Sequence, residues 1–318
     1  MLGCVPGDGD KHLENGAATP RLTVCVVSWN AKDDLFKCLQ SLREASVRPG
    51  TVTVTVADND SRDGSPELVE ADFPEVSLIR TGANLGFSGG NNVVLKTLAT
   101  DYVLLLNSDA TVEPNGLDAL VDFADAHPDA GIVAPKVLNP DGSIQYSCRR
   151  WPTFAAGMFR NVYLGKLFPG NRPASDYLMQ DFDHSSVRDV DWVSGCAMLL
   201  RRDLLHKIGN LDEETFFMYC EDMDICLRAH EIGSRVVYFP GTVVTHAIGK
   251  SSDRAADRMI WEHSRSMWKF YRKHHAFFAG RIPFLLKPLI YPGIFARAFV
   301  RIGRRRFINP LLGGSPRP

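Results

Sequence analysis

Four acids and one histidine in this chain stand where chemistry can use them: Asp58, Asp109, Glu221, Asp222 and His246. Asp109 closes the run Val103-Leu104-Leu105-Leu106-Asn107-Ser108-Asp109. Its apolar residues, bounded by polar ones, suit a short strand buried on both faces of a parallel sheet, with the acid just beyond the C-terminal end. Open α/β sheets bind ligands at that edge, where a fixed carboxylate can hold a hard divalent cation that bridges to phosphate. Asn, Ser and Asp are also ordinary turn formers, so the tripeptide alone leaves both readings open. Asp58 closes the Thr/Val run Thr51 to Ala57 in the same way, so both carboxylates project from one sheet edge. A carboxylate there can accept a hydrogen bond from the imide N–H of a uracil or thymine base; an Asp/Ser-capped turn is the plainer alternative.

In Phe216-Phe217-Met218-Tyr219-Cys220-Glu221-Asp222-Met223-Asp224, three acids follow an aromatic run. Acids in a first helical turn suit the macrodipole, and Asp224 with Arg228 has the i, i+4 spacing of a helix-surface ion pair worth ~0.2 to 0.5 kcal/mol. That accounts for Glu221 and Asp224. Asp222 sits about 100° around the helix from Glu221. Free to reach into a cleft, it is a candidate general base. His246 ends the run Val243-Val244-Thr245 and is either structural or, as a neutral imidazole, a second metal ligand beside Asp109. The stretch Asn84-Leu85-Gly86-Phe87-Ser88-Gly89-Gly90-Asn91-Asn92 reads as a Gly-rich loop opening a helix, allowing close approach of phosphate or sugar. It lacks the first paired glycine of G-x-G-x-x-G.

The elements that must position these groups alternate. Leu22 to Ser28 reads as a strand, and Leu35, Cys38, Leu39 and Leu42 mark an amphipathic helix. A second strand follows over Thr51 to Ala57, then a helix with Ser65 as N-cap and Pro66 as first residue. Val76 to Ile79, Tyr102 to Leu106 and Ile132 to Ala134 supply further strands, and Val93 to Leu98 belongs to a helix. This spacing implies βαβ units and a mainly parallel sheet. Asn139-Pro140-Asp141-Gly142 reads as a tight turn. Residues 147 to 190 have no period and mix Trp151, Phe154, Phe159, Tyr163 and Phe168 with Gly and Pro, as a binding insert or irregular packing would. Beyond them, Trp192 to Leu200 reads as one strand, Glu221 to Glu231 as a helix, and Val236 to Phe239 and Val243 to Thr245 as two strands.

With 318 residues, 45% hydrophobic and 23% charged, the chain can bury a sizeable core, which excludes disordered and fibrous classes. The net charge of −1 conceals a division: from Arg254 onward 14 Lys or Arg face 2 acids, a net of +12, leaving −13 for residues 1–253. Such a basic segment implies an anionic partner, membrane lipid or nucleic acid. Seven cysteines without a CxxC pair suit a reducing cytosol and speak against structural zinc. Residues 1–20 resemble a flexible leader more than a signal peptide. No run of eighteen apolar residues suits a spanning helix.

From about Leu22 to about His275 the ordered set of motifs resembles the family 2 glycosyltransferases with a GT-A fold, in particular their rhamnosyltransferase-like branch. The set comprises Val26-Val27-Ser28-Trp29-Asn30, Asp58-Asn59-Asp60-Ser61 with Asp63-Gly64-Ser65, Asn84-Leu85-Gly86-Phe87, Asn107-Ser108-Asp109, Gly195-Cys196-Ala197-Met198, and Phe217 to Asp224 with Arg228. The resemblance implies an α/β GT-A catalytic domain over 21–253, with a nucleotide-binding half to about 135 and an acceptor half beyond. It also implies inverting transfer of one sugar from a nucleoside diphosphate donor, first of all dTDP-rhamnose, to a saccharide or lipid-linked acceptor in cell-surface polysaccharide assembly, with Mg²⁺ or Mn²⁺ holding the diphosphate. On it, Asp58 reads the base, and Asn30, Asn84, Gly86, Asn107 and Ser108 line the nucleotide-sugar site. Asp109 and His246 hold the metal, Asp222 deprotonates the acceptor hydroxyl, and Glu221 orients that base or bonds the acceptor. Asn107 stands where many relatives carry the first Asp of D-x-D, which removes a charge. The Q-x-x-R-W signature of processive synthases is absent, so single transfer is expected.

The extension 254–318 carries Ile260, Met267, Trp268 and Tyr271 on one helical face, then an apolar stretch from Phe277 to Val300 broken by Arg and Pro, then Arg304-Arg305-Arg306. That pattern suits peripheral contact with the anionic inner face of the plasma membrane, and no nucleic acid partner is expected. Two rivals stand beside this reading: a sugar nucleotidyltransferase, which would place a Gly-rich phosphate loop where Ser28-Trp29-Asn30 stands, and a non-catalytic nucleotide-sugar binding module.

Overall fold

The computed structural model describes residues 20–46, 48, 50–153, 156, 172–247, 256–279, 281, 282, 285 and 287–308. The expected leader lies outside them except for Pro20, as do Phe154, Phe159, Tyr163 and Phe168 of the aperiodic stretch.

The first half is a run of βαβ units. Strands β1 (Leu22–Ser28), β2 (Val52–Asp58), β3 (Ser77–Arg80) and β4 (Tyr102–Asn107) alternate with helices α1 (Lys32–Leu42), α2 (Ser65–Asp72) and α3 (Gly86–Leu95). Their order in the sheet is β3-β2-β1-β4, all parallel. The sheet continues through β10 (Ala197–Arg201), β6 (Ala130–Leu138), β11 (Arg235–His246) and β5 (Ala110–Val112), with β8 (Arg188–Asp189) also on β11. Here β6 and β11 are parallel to each other, while β10, β5 and β8 run antiparallel to their neighbours. Strand β4 is buried on both faces, as its unbroken apolar run requires. Leu104 and Leu106 pack with Leu35, Leu39, Leu117 and Leu120 of α1 and α4 (Gly116–Ala126). Val103 and Leu105 pack on the other side with Met223, Ile225 and Leu227 of α7 (Glu221–Glu231). Between α4 and α7 lie α5 (Arg172–Tyr177) and α6 (Arg202–Ile208).

Four local expectations change. Residues 86–92 are not loop but the first turns of α3, because their glycines let that helix sit where a side chain would collide. A Cβ on Gly86 would lie 2.2 Å from the Phe217 carbonyl oxygen, and one on Gly90 2.7 Å from Val27 Cγ1. Ser65 is inside α2 rather than its cap; Gly64, at φ 85°, holds that place and Ser65 Oγ donates to Asp63 Oδ1. Trp192 to Leu200 is two strands, not one. β9 (Trp192–Val193) pairs with β7 (Cys148–Arg149) in a separate ribbon, and β10 joins the main sheet after the turn at Ser194-Gly195-Cys196. Conversely, the two short strands read before His246 are one twelve-residue strand with a register shift between Phe239 and Val243.

The basic segment forms α8 (Ala256–Lys273), α9 (His275–Ala279) and α10 (Lys287–Gly303), ending in a π-helical turn at Arg304–Ile308. None of the described helices is long and apolar enough to cross a membrane. The face that α8 buries centres on Ser266 and Phe270, continued by His274 just past its end, rather than only on the apolar residues that periodicity picks out. Polar side chains are inside because each has a partner. Ser266 Oγ donates to the Met218 carbonyl at 2.7 Å, and His274 Nε2 lies 2.7 Å from Asp224 Oδ1.

Candidate active site

The C-terminal ends of β1 and β4, the start of α3, the β9–β10 turn and the N-terminus of α7 surround a cleft of about 650 Å³. Of the sequence-derived candidates, Asn84, Gly86, Asn107, Ser108, Asp109, Glu221, Asp222 and His246 line it. Asn30 and Asp58 sit behind the lining. Asn30 Oδ1 accepts the Arg62 N–H at 2.8 Å and its own N–H donates to Ser61 Oγ, so it braces two strand-end loops against each other. Asp58 is buried; Oδ2 accepts the Ser61 N–H at 3.0 Å and Oδ1 is buried without a partner among the described residues. Trp29, beside Asn30, reaches the cleft and is 39% exposed.

Asp109 and His246 meet because β5, which begins at Ala110, pairs with the end of β11, with His246 opposite Ala110. His246 Nε2 lies 3.1 Å from Asp109 Oδ1 and 3.1 Å from Asn107 Nδ2, while Nδ1 lies 2.7 Å from Gln145 Oε1. The orientation of that amide is set by its other end, since Gln145 Nε2 donates to Asn139 Oδ1 and to the His246 carbonyl. Oε1 therefore faces Nδ1 and places the ring proton there, leaving the Nε2 lone pair toward Asp109. A carboxylate oxygen converging on an imidazole lone pair, with the far ring nitrogen held by an amide oxygen, is a donor set that fits a divalent cation. No group of three His, Cys, Asp or Glu side chains that could hold an ion occurs among the described residues. A two-ligand site would suit Mg²⁺ or Mn²⁺, which keep several positions for water and phosphate oxygen.

Across the cleft, backbone geometry delivers Glu221 and Asp222. Tyr219 and Cys220 both adopt left-handed φ (70° and 71°), an unusual conformation for side-chain-bearing residues that turns the chain sharply into α7. Asp222 is half-buried, accepting the Gly195 N–H at 3.3 Å on Oδ2 and the Met223 N–H at 2.8 Å on Oδ1. Gly195 packs here without a side chain, as a Cβ would stand 3.2 Å from the Phe87 ring and 3.7 Å from Asp222 Cβ. Burial raises the Asp222 carboxyl above the ordinary carboxylate range, against the two amide bonds and the Arg149 charge. Glu221 is pushed further up, by burial and then by the charge of Asp222, and its Oε2 is buried without a described partner. The result is a proton acceptor of increased basicity beside a carboxyl that favours its neutral form.

Asp224, assigned from spacing to a surface ion pair, is instead fully buried. Arg228 Nε approaches at 2.8 Å, Lys273 Nζ at 2.6 Å and His274 Nε2 at 2.7 Å. Burial pushes its pKa up, but the His274 hydrogen bond and the two cations outweigh this and hold it below the usual range. The difference arises because α8 covers this turn of α7, a contact that no local spacing encodes.

Other lining residues escape the sequence reading: Gln145, Arg149, Tyr177, Trp192, His263, Arg297 and Arg301. Arg149 and Tyr177 belong to the aperiodic stretch, whose aromatics were its only signal. Arg297 and Arg301 carried a readable one, two cations four residues apart in an otherwise apolar segment.

Comparison with known proteins gives the family of the chain. The glycosyl transferase family 2 model matches residues 23–209. The chain is 34% identical over 269 residues to an N-acetylglucosaminyl-diphospho-decaprenol L-rhamnosyltransferase of Mycobacterium tuberculosis, covering 81% of this chain and 86% of that protein. It is 26% identical over 177 residues to the rhamnosyltransferase WbbL of Escherichia coli, covering 52% and 62% respectively. In fold it is similar to a mannosyltransferase from Pyrobaculum calidifontis in complex with GDP-Man and Mn²⁺, with a TM-score of 0.53, 19% identity, and 92% of this chain and 76% of that one covered. The motifs, the sheet and these relatives agree: the chain belongs to glycosyl transferase family 2, with a GT-A fold and rhamnosyltransferases among its relatives.

Proposed function

We propose that this glycosyltransferase moves a single sugar, with inversion, from a nucleoside diphosphate donor to a hydroxyl of a lipid-linked saccharide. The observation that carries this reading is the placement of Asp222 in one cleft with the Asp109–His246 pair. A bound Mg²⁺ or Mn²⁺ would neutralise the donor diphosphate and make it a better leaving group. Asp109 and His246 hold that end of the donor. Asp222 takes the proton from the acceptor hydroxyl as it attacks the anomeric carbon on the face opposite the diphosphate, a role worth on the order of 10² to 10⁴ in rate. Glu221 donates a hydrogen bond to the acceptor or to Asp222. Asp58 reads the base and Asn30 braces the loop that carries Trp29; Asn84, Gly86, Asn107 and Ser108 line the sugar nucleotide.

Rhamnose as the sugar of the dTDP-linked donor is supported by the names of the relatives at 34% and 26% identity, and an acceptor of the N-acetylglucosaminyl diphospholipid type by the name of the first. Peripheral contact with the cytoplasmic face of the plasma membrane is supported by α10, whose exposed side carries Leu289, Phe299 and Val300 close to Arg304. The test is to incubate the protein with Mn²⁺, dTDP-rhamnose or other nucleotide sugars, and a short-chain diphospholipid-linked N-acetylglucosamine. Release of nucleoside diphosphate with formation of an inverted disaccharide supports the reading. Pyrophosphate release points to a nucleotidyltransferase and overturns it, as does nucleotide binding without turnover.

A further inference from the structure

Helix α10 is amphipathic in the reverse sense to a surface helix. Its side toward the protein carries Arg297 and Arg301, one turn apart, with Ala298 buried and Ile290 half-buried nearby. Its outer side leaves Leu289, Phe299 and Val300 exposed, Phe299 at 64%, and Leu285 just before the helix is 83% exposed. Both arginines line the cleft that holds Asp222.

A half-buried arginine normally answers a carboxylate, as Arg305 answers Asp257 at 3.2 Å. Arg301 has no carboxylate within ion-pair distance among the described residues. Its charge acts on the Tyr219 phenol, two residues before Glu221, so it lies on the acceptor-base side of the cleft. Arg149 also has no described carboxylate in ion-pair range. Its guanidinium stacks 4.9 Å over Trp192, and Nε donates to the Tyr146 carbonyl. Guanidinium groups that line a cleft without an ion pair, as Arg301 and Arg149 do among the described residues, favour an anion with several oxygens, above all phosphate, which they bond in charge-assisted pairs. The metal-ligand pair already serves one phosphate site, through Asp109 and His246. The arginines define a second.

We infer that Arg301, with Arg149, forms a subsite for the diphosphate of the lipid-linked acceptor. This rests on the acceptor class proposed above and adds the residues that select it. The same helix then grips the diphosphate on its inner side and meets the lipid surface on its outer side. A lipid-linked diphosphate lies at that boundary.

The test is equilibrium binding of farnesyl diphosphate to the full chain with the donor site saturated by dTDP and Mn²⁺. The wild type should bind it. Arg301→Gln should weaken binding by about tenfold or more, Arg301→Lys by less, with the thermal melting temperature and dTDP affinity unchanged. Equal binding by wild type and Arg301→Gln, or no binding by wild type, overturns the subsite. So does an Arg301→Gln protein that keeps farnesyl diphosphate but no longer pellets with phosphatidylglycerol vesicles, because Arg301 then serves lipid headgroups. If Arg301-dependent binding is found but no sugar is transferred, the transferase reading of the acceptor fails while the subsite stands. If sugar is transferred and Arg301→Gln leaves the acceptor KM unchanged, the subsite alone fails.

Discussion

The two walls of the cleft are built on different principles. On the wall assigned above to the donor, Asn107 and Asp109, with Asp58 behind them, stand at the ends of buried parallel strands, so the sheet itself fixes their spacing through the register Ser28↔Asp58 and Val27↔Asn107. On the wall assigned to the acceptor, Glu221 and Asp222 begin a helix after two left-handed residues, and that segment is held from outside by α8. Lys269 Nζ bonds the Thr215 carbonyl at 2.6 Å, Ser266 the Met218 carbonyl, and His274 and Lys273 grip Asp224. A strand-end site is positioned by the core, and its residues have little alternative. The acceptor wall depends on a long-range clamp between segments some fifty residues apart. It is therefore the wall on which substitutions far from the chemistry should be felt.

The largest expected effect breaks the acceptor wall at its tip. Asp222→Asn nearly keeps shape but removes proton acceptance, and should lower kcat on the order of 10² to 10⁴ while donor affinity is kept. Wild-type turnover in single-turnover measurements would remove Asp222 from the role of base. Breaking the clamp instead, Asp224→Ala should cost about 3 to 5 kcal/mol in urea unfolding, because Arg228, Lys273 and His274 lose their shared buried partner. A loss below about 1 kcal/mol, the range of an exposed ion pair, would mean that α8 is not held this way.

On the donor wall, Gln145→Leu should weaken Mn²⁺ binding, read by electron paramagnetic resonance, on the order of 10- to 100-fold, because His246 Nδ1 loses the oxygen that orients it. Unchanged Mn²⁺ affinity would separate Gln145 from the metal site. The smallest effects are in pH. The raised Asp222 carboxyl must be deprotonated to act, so the acid limb of kcat/KM should fall at a pH above the ordinary carboxylate range, and Asp222→Asn should abolish that limb. Asp224 has the opposite sign. Its folded pKa is depressed, so the stability it contributes is present above the unfolded carboxylate pKa, and is lost as pH falls through the folded value. Denaturation midpoints of wild type and Asp224→Ala should therefore converge in acid.

The sequence carried the donor wall well, because a run such as Val103 to Leu106 can hardly be anything but a buried strand and the polar residue after it must emerge at the ligand edge. It placed Glu221 and Asp222 at the start of a helix but gave no sign of their support. Asp224 and Arg228 at i, i+4 look like a solvent-exposed pair until α8 is laid over them. Trp192 to Leu200 is continuous in sequence hydrophobicity, yet Ser194-Gly195-Cys196 passes the chain between two sheets and sends the Gly195 N–H to Asp222.

By itself, the sequence determined the alternation of strands and helices, the two acids at strand ends and the family, because these rest on local periodicity and on motifs a few residues long. Only the tertiary structure decided that Gln145 orients His246, that Asp224 is a buried clamp, and that Arg301 faces the cleft while Phe299 faces out. Each of these joins residues about fifty to a hundred positions apart, or depends on which side of a helix is covered. Burial and charge compensation are properties of what packs against a residue, and that is set by the fold rather than by its neighbours in the chain.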